Sequence, residues 1–404
     1  MSVEDGLVSD TGVKGDIKIE LTRELAFESP ASPADIGIRA GGDALHPVYR
    51  SRVVTSFASW DLLALHDHRE VKTVAVHAVE QHGAGPATGR YVGGMTPALT
   101  ACEVRVARFF AADTALLFSS KNQALLSTIT SLCSEGVVVL GPALTSLPLA
   151  DACVLVGAEF AEFEGEDELR QMLERHRAAK RVVVVAEAVS SVTGKKLATK
   201  RFFSALEQTG AWGIVDETSA LGFSGLRGAG SAEDVPGSPA LLARVVQCSS
   251  VVGVELAAVV GSSELRELLL ARSRYVRFEL APSSVAAAAV HRALDLVEVA
   301  ISQRERLGVR SKMVQAAVRA QGWVVLSEDD SPILSIWVES LGKARELQEG
   351  LLQRGIVVEA LPARSTRRNG AVVRILLSTG HSEEEISRLM DGLLEIRKRR
   401  SDAE

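Results

Sequence analysis

Between about residue 115 and residue 260 the chain alternates short apolar runs with helical stretches, and this alternation restricts the fold more than any other feature. The runs fall at 115–118, 137–140, 153–156, 181–186, 213–216, 244–249 and 256–260. Their continuous apolar character suits strands buried on both faces, while segments such as 167–177 carry helical spacing. Strands alternating with helices predict an α/β fold with a mostly parallel sheet between helical layers. A Gly-Pro-Ser-rich loop at 228–239 interrupts the order. A long Ala/Val/Leu helix is predicted from Ser284 past Leu307, leading to a smaller α+β unit. That unit reads as strand 333–338, helix 343–354, strands 357–360 and 371–377, and a final helix. Ser382 followed by Glu385 is a capping box for the last helix. The expected division is an N-terminal arm at 1–58, a large domain at 59–283, and a linker helix with a small domain at 284–404. Residues 1–45 of the arm read as loosely held, with one amphipathic piece at 17–27.

With 404 residues and 47% hydrophobic content the chain can fill two sizeable cores. The net charge of −6 argues against nucleic acid as a partner, and the basic run Arg397 to Arg400 suits the end of a helix. Cys102, Cys133, Cys153 and Cys248 lie mostly in apolar surroundings without metal spacing, as small core residues of a reducing compartment. His82, His176, His291 and His381 share no spacing that suggests a metal or a triad. No apolar run is long enough to span a bilayer and the acidic start is no signal peptide, so a cytoplasmic protein is expected.

One segment turns the question from fold to function. Residues 245–265 read VVQCSSVVGVELAAVVGSSEL. They resemble the strand and turn that carry the cofactor lysine in α-oxoamine synthases, roughly Thr-Leu-Ser-Lys-Ala-Leu-Gly-Ser-Ser-Gly-Gly. Gly253 and Gly261 fall on family glycines, Ser249 on the serine and Ser250 on the lysine. A hydroxyl cannot form the Schiff base that a lysine amine forms with an aldehyde. The ordered resemblance runs from about Ser59, in SWDLLAL, to Leu394. It implies a type I aminotransferase-like fold: a large domain with a mixed, mostly parallel seven-stranded sheet, and a small C-terminal α+β domain. It also implies pyridoxal phosphate chemistry joining an amino acid to an acyl-CoA, in dimers with active sites at the subunit interface.

By the same resemblance, Asp216 in GIVDETSALGFSG corresponds to the aspartate on the pyridinium nitrogen. Glu187 and Ser191 in AEAVSSVTG match a segment beside the cofactor hydroxyl. Arg374 in VVRILLSTGHS matches the arginine that binds the substrate carboxylate, and Arg90 with Gly93 and Gly94 matches a glycine-rich segment near the substrate. Taken alone, Asp216 reads equally as a strand-end carboxylate capping the next turn, and Arg374 as a structural ion-pair residue. The departures fall on cofactor positions. Thr145 replaces the histidine that stacks on the ring, Ser219 and Leu99 replace two further histidines, and Lys121 and Asn122 after Ser120 replace a Gly-aromatic pair. That turn opens a helix whose N–H groups hold the phosphate in the family. Lys121 either attracts a phosphate or fills the space that glycine leaves open. Glu279 falls near a hydroxyl residue that reaches the partner's phosphate.

Residues 201–311 contain no lysine, and Lys195, Lys196 and Lys200 read as solvated surface charges. Three readings follow. The first is a non-catalytic subunit that supports a lysine-bearing paralogue, as in heterodimeric serine palmitoyltransferase, with no covalently bound cofactor. The second is an altered acyltransferase or ligand-binding homodimer holding pyridoxal phosphate non-covalently. The third is a structural or regulatory protein that keeps the fold.

Overall fold

The structure is a computed structural model, and it describes residues 39–49, 51–143, 147–234, 237–365 and 368–401. Its centre is a seven-stranded sheet. The strands are β1 (Thr114–Phe118), β2 (Val137–Pro142), β3 (Glu159–Phe163), β4 (Arg181–Glu187), β5 (Trp212–Asp216), β6 (Leu241–Gln247) and β7 (Ala257–Gly261). Their spatial order is β1-β7-β6-β5-β4-β2-β3. All neighbours run parallel except β7, which is antiparallel to both β1 and β6. Along β1, Ala115 and Leu117 enter one core while Leu116 and Phe118 enter another. Val183 and Val185 of β4 likewise face away from Val184 and Ala186. Two buried faces explain why these strands read as unbroken apolar runs.

The run at 153–156 is not a strand. It is the last turn of α2 (Leu147–Val156), which follows α1 (Lys121–Leu132), and Val154 and Leu155 there face solvent. Periodicity alone does not separate a short apolar strand from a helix end. The strand is β3 instead, an edge strand with polar, half-exposed residues that lacks the apolar signature of its buried neighbours. The run at 244–249 also divides. β6 ends at Gln247, and Ser249 opens the one-turn helix α3 (Ser249–Val252).

The predicted linker helix is two helices, α4 (Ser284–Val299) and α5 (Ile301–Ala320), parted at Ala300. No proline or glycine causes the break. Arg304 of α5 folds its guanidinium back onto the carbonyls of Val297 and, at 2.6 Å, Leu226, supplying donors that a helix C-terminus otherwise lacks. A four-stranded antiparallel sheet follows, in the order β8-β9-β11-β10. Its members are β8 (Val324–Val325), β9 (Ile333–Val338), β10 (Glu359–Ser365) and β11 (Arg368–Leu376). The predicted strand at 357–360 thus splits into β10 and a short piece, Ile356–Val357, that pairs with Thr55–Ser56. The final helix, α6 (Glu383–Ser401), opens on the expected capping box. Ser382 N–H donates to Glu385 at 2.8 Å, and Glu385 N–H donates to Ser382 at 3.2 Å.

Of the N-terminal arm, residues 1–38, including the amphipathic piece, lie outside the described residues. Arg39–Gly42, Pro47–Tyr49 and Arg52–Val53 form a small antiparallel sheet. The four cysteines are free and buried, and burial pushes the Cys133 and Cys248 thiols up to about 12. Among the described residues no helix is long and apolar enough to cross a membrane, and no cluster of side chains has the makings of a metal site.

Candidate functional site

Three polar residues end three adjacent strands at the same edge of the large sheet: Glu187 on β4, Asp216 on β5 and Gln247 on β6. In a parallel sheet this carboxyl edge is where ligands are bound. Facing it is the first turn of α1, where the Ser120 hydroxyl accepts a hydrogen bond from Gln123 N–H as the helix cap.

Lys121 crosses from that turn to the strand ends. Its Nζ lies 2.9 Å from Asp216 Oδ2, while Asp216 Oδ1 accepts from Thr218 N–H at 2.9 Å. The Asp216 charge holds the Lys121 ammonium above its usual range against the cost of burial. Glu187 is the in-register neighbour of Asp216. Burial, and then the Asp216 charge, push its carboxyl up to about 7. Ser191 donates its hydroxyl to Glu187 at 2.8 Å and its N–H at 3.1 Å. Ser191 in turn offers its carbonyl to Arg374 Nη1 at 2.7 Å. The Arg374 guanidinium rests 4.9 Å from the centre of the Trp60 ring and forms an ion pair with Glu359. A continuous polar chain therefore runs from Lys121 on α1, through Asp216, Glu187 and Ser191, to Arg374 and Glu359 on the small sheet.

The other expected site residues are distributed as follows. Ser219 is buried just past Asp216, and Asn122 is exposed at the head of α1. The Arg90 side chain is buried in an ion pair with Glu103 at 2.9 Å. Leu99 belongs to the apolar core, and Glu279 is exposed with its carbonyl against Gly89. Ser250 is the second residue of α3, directly beyond β6. Gly253 closes α3 in the left-handed region at φ +68°, and a Cβ there would lie 2.2 Å from the His66 ring. Thr145 lies outside the described residues.

Two participants carried no notice in the sequence, Gln247 and Glu359. Gln247 Oε1 accepts from Lys121 N–H at 2.9 Å. Glu359 is the cross-strand partner of Arg374 in the β10–β11 hairpin. Its position follows from the β10–β11 register, a signal that the short predicted strand at 357–360 concealed.

The chain belongs to the aminotransferase class I and II family, whose sequence profile matches residues 53–393. Within that family it is a member of the α-oxoamine synthases, the pyridoxal-phosphate proteins of fold type I. It is 29% identical over 367 residues to 8-amino-7-oxononanoate synthase of Geobacter sulfurreducens, covering 89% of this chain and 93% of that protein. It is also 29% identical over 352 residues to the enzyme of the same name from Nitrosococcus oceani, covering 85% and 92%. Its fold matches Sphingomonas wittichii serine palmitoyltransferase with a TM-score of 0.85 at 22% identity, over 96% of this chain and 98% of that one.

The family's cofactor does not fit the residues present. The cavity between Lys121, Leu125, Pro142, Leu149, Glu187 and Asp216 measures about 50 Å³. That holds a few waters, against about 300–1,000 Å³ for a typical small-molecule site. The carboxylate expected to face a pyridinium nitrogen already faces an ammonium. At the phosphate turn, Ser119 N–H donates to Gln123 Oε1 at 3.0 Å, Lys121 N–H to Gln247, and Gln123 N–H to Ser120.

Proposed function

We propose that this chain is a non-catalytic subunit of an α-oxoamine synthase-type acyltransferase, paired with a lysine-bearing paralogue in the manner of a serine palmitoyltransferase heterodimer. The observation that carries the reading is the pairing of Ser250 with Lys121. The position beyond β6 that would bear the Schiff-base amine bears a hydroxyl. The lysine that does reach the site is fixed on Asp216 as an ammonium, which is no nucleophile.

An exposed apolar patch supports the pairing. Val92 and Phe278 are 88% and 81% exposed, with Tyr91 and Leu280 beside them. The two segments are joined by Ala281 N–H donating to Thr88 O at 3.1 Å. Exposed large apolar residues on two neighbouring segments suit a protein interface. The patch flanks Glu279, which falls near the family's hydroxyl residue for the partner's phosphate and whose carboxylate would repel that phosphate.

The test is to purify the chain alone and after co-expression with a lysine-bearing paralogue from the same genome, and to follow CoA release from acyl-CoA in the presence of amino acids. The expected result is no turnover and no borohydride-stable cofactor adduct for the chain alone, and turnover for the co-purified pair. Turnover by the chain alone, lost in Asp216→Ala, would sink this reading and favour an altered synthase or ligand-binding homodimer.

A further inference from the structure

Each of the three contacts that anchor cofactor and substrate in this family meets a side chain of the protein itself. Opposite Asp216, where a ring nitrogen would carry the positive charge, stands Lys121 Nζ. At the turn that would face a phosphate, the side-chain carbonyl oxygens of Gln247 and Gln123 take the N–H groups of Lys121 and Ser119. On Arg374, where a substrate carboxylate would sit, lies the carboxylate of Glu359. These substitutes come from distant parts of the chain: α1, the end of β6 and β10. Their signs match those of the groups they replace, cation for cation, acceptor for anion, carboxylate for carboxylate.

We propose that the site is self-liganded: Lys121, Gln247 and Glu359 act as internal ligands that hold it in a filled, closed form and exclude pyridoxal phosphate. Lys121 is the excluding group, since its side chain lines the small cavity and its charge neutralises Asp216. A pyridoxal ring entering here displaces a charged, hydrogen-bonded side chain and exposes a buried carboxylate before it makes a contact of its own. Glu359 acts in the same way at the other end. It meets Arg374 from the neighbouring strand, with its backbone already fixed, whereas a free carboxylate gives up its independent motion on binding. The chain thus keeps the polar frame of the site, and with it the connection between the two sheets, without a small molecule. This inference concerns the chain's own site and does not depend on the existence of a partner.

The experiment uses the purified full chain and its Lys121→Gly variant, titrated with pyridoxal phosphate to millimolar concentration. Melting temperature and cofactor absorbance are the readouts. The wild-type chain is expected to give no saturable change in either, and Lys121→Gly to gain a saturable, one-to-one response. If the glycine variant does not fold, Lys121→Ala, which keeps better helix propensity, replaces it. Saturable binding by the wild type overturns the proposal. A folded variant that gains nothing overturns the assignment of Lys121 as the excluding group. A wild-type chain that binds no cofactor and no paralogue leaves this inference standing and removes the subunit reading. A chain that pairs with a paralogue yet binds the cofactor does the reverse.

Discussion

At the scale of single residues, the Lys121–Asp216 pair decides how the site behaves. Lys121→Ala leaves Asp216 buried beside Glu187 without its cation. Breaking a fully buried pair costs about 3–5 kcal/mol, and the side chain of Lys121 is 27% exposed, so about 2 kcal/mol is expected. Replacing both partners, as Lys121→Met with Asp216→Leu, should recover most of that loss, because no unpaired charge remains. Denaturant midpoints of the wild type, the single variant and the double variant check this.

Glu187 sets a pH dependence. Its carboxyl is raised to about 7 in the fold, from an ordinary value of 4.5. The folded state therefore holds a proton that the unfolded chain releases. This stability is fully present below about pH 4.5 and is lost as the pH rises through about 7. Glu187→Gln, which keeps an acceptor for Ser191 and cannot ionise, should flatten the slope of melting temperature against pH across that window. An unchanged slope would place the titration elsewhere.

At the scale of elements, the sequence was readable where burial is symmetric and obscure where it is not. β4 and β5 announce themselves because both faces are apolar. β3 does not, because an edge strand keeps polar residues, and α2 ends in an apolar run that imitates a strand. The split between α4 and α5 leaves no local mark, and it is bridged by Arg304 reaching back to Val297 and across to Leu226. The site was legible in the same uneven way. Asp216, Glu187, Ser191 and Arg374 stand out by position in an ordered series of motifs. The destination of Lys121 does not, because Asp216 is 95 residues further along and the two meet only when α1 is laid against the sheet. Gln247, 126 residues from Lys121, was silent for the same reason, whereas Glu359 was hidden by the short predicted strand. One element-level consequence concerns α3. Gly253→Ala places a side chain in the left-handed region and against the His66 ring, and should cost about 2 kcal/mol or more, read as a lowered melting temperature.

At the scale of the whole molecule, the departures from the family act together. Restoring the missing amine alone should not restore chemistry. Ser250→Lys is expected to yield no borohydride-stable adduct with pyridoxal phosphate by intact mass, because the ring space, the phosphate turn and Arg374 remain occupied from within. A stoichiometric adduct mapped to residue 250 would show that the lysine was the sole deficit.

The turn after β4 has a further consequence. Ser190 N–H donates to Lys195 O at 2.8 Å, Val189 bridges Lys196, and the carbonyls of Ser191 and Val192 are held by Arg374 and Ser335 from the small sheet. Gly194 lies so close to Ile333 O that a Cβ would fall 2.3 Å from it. Lys195 and Lys196 are nevertheless on the surface, and to trypsin they read as two adjacent cleavage sites in an open loop. A protease must draw several residues into extended form, and here that means prising the large sheet from the small one. Limited digestion of the native chain should leave both bonds intact long after other exposed lysines are cut, so that this loop resists cleavage like a core segment.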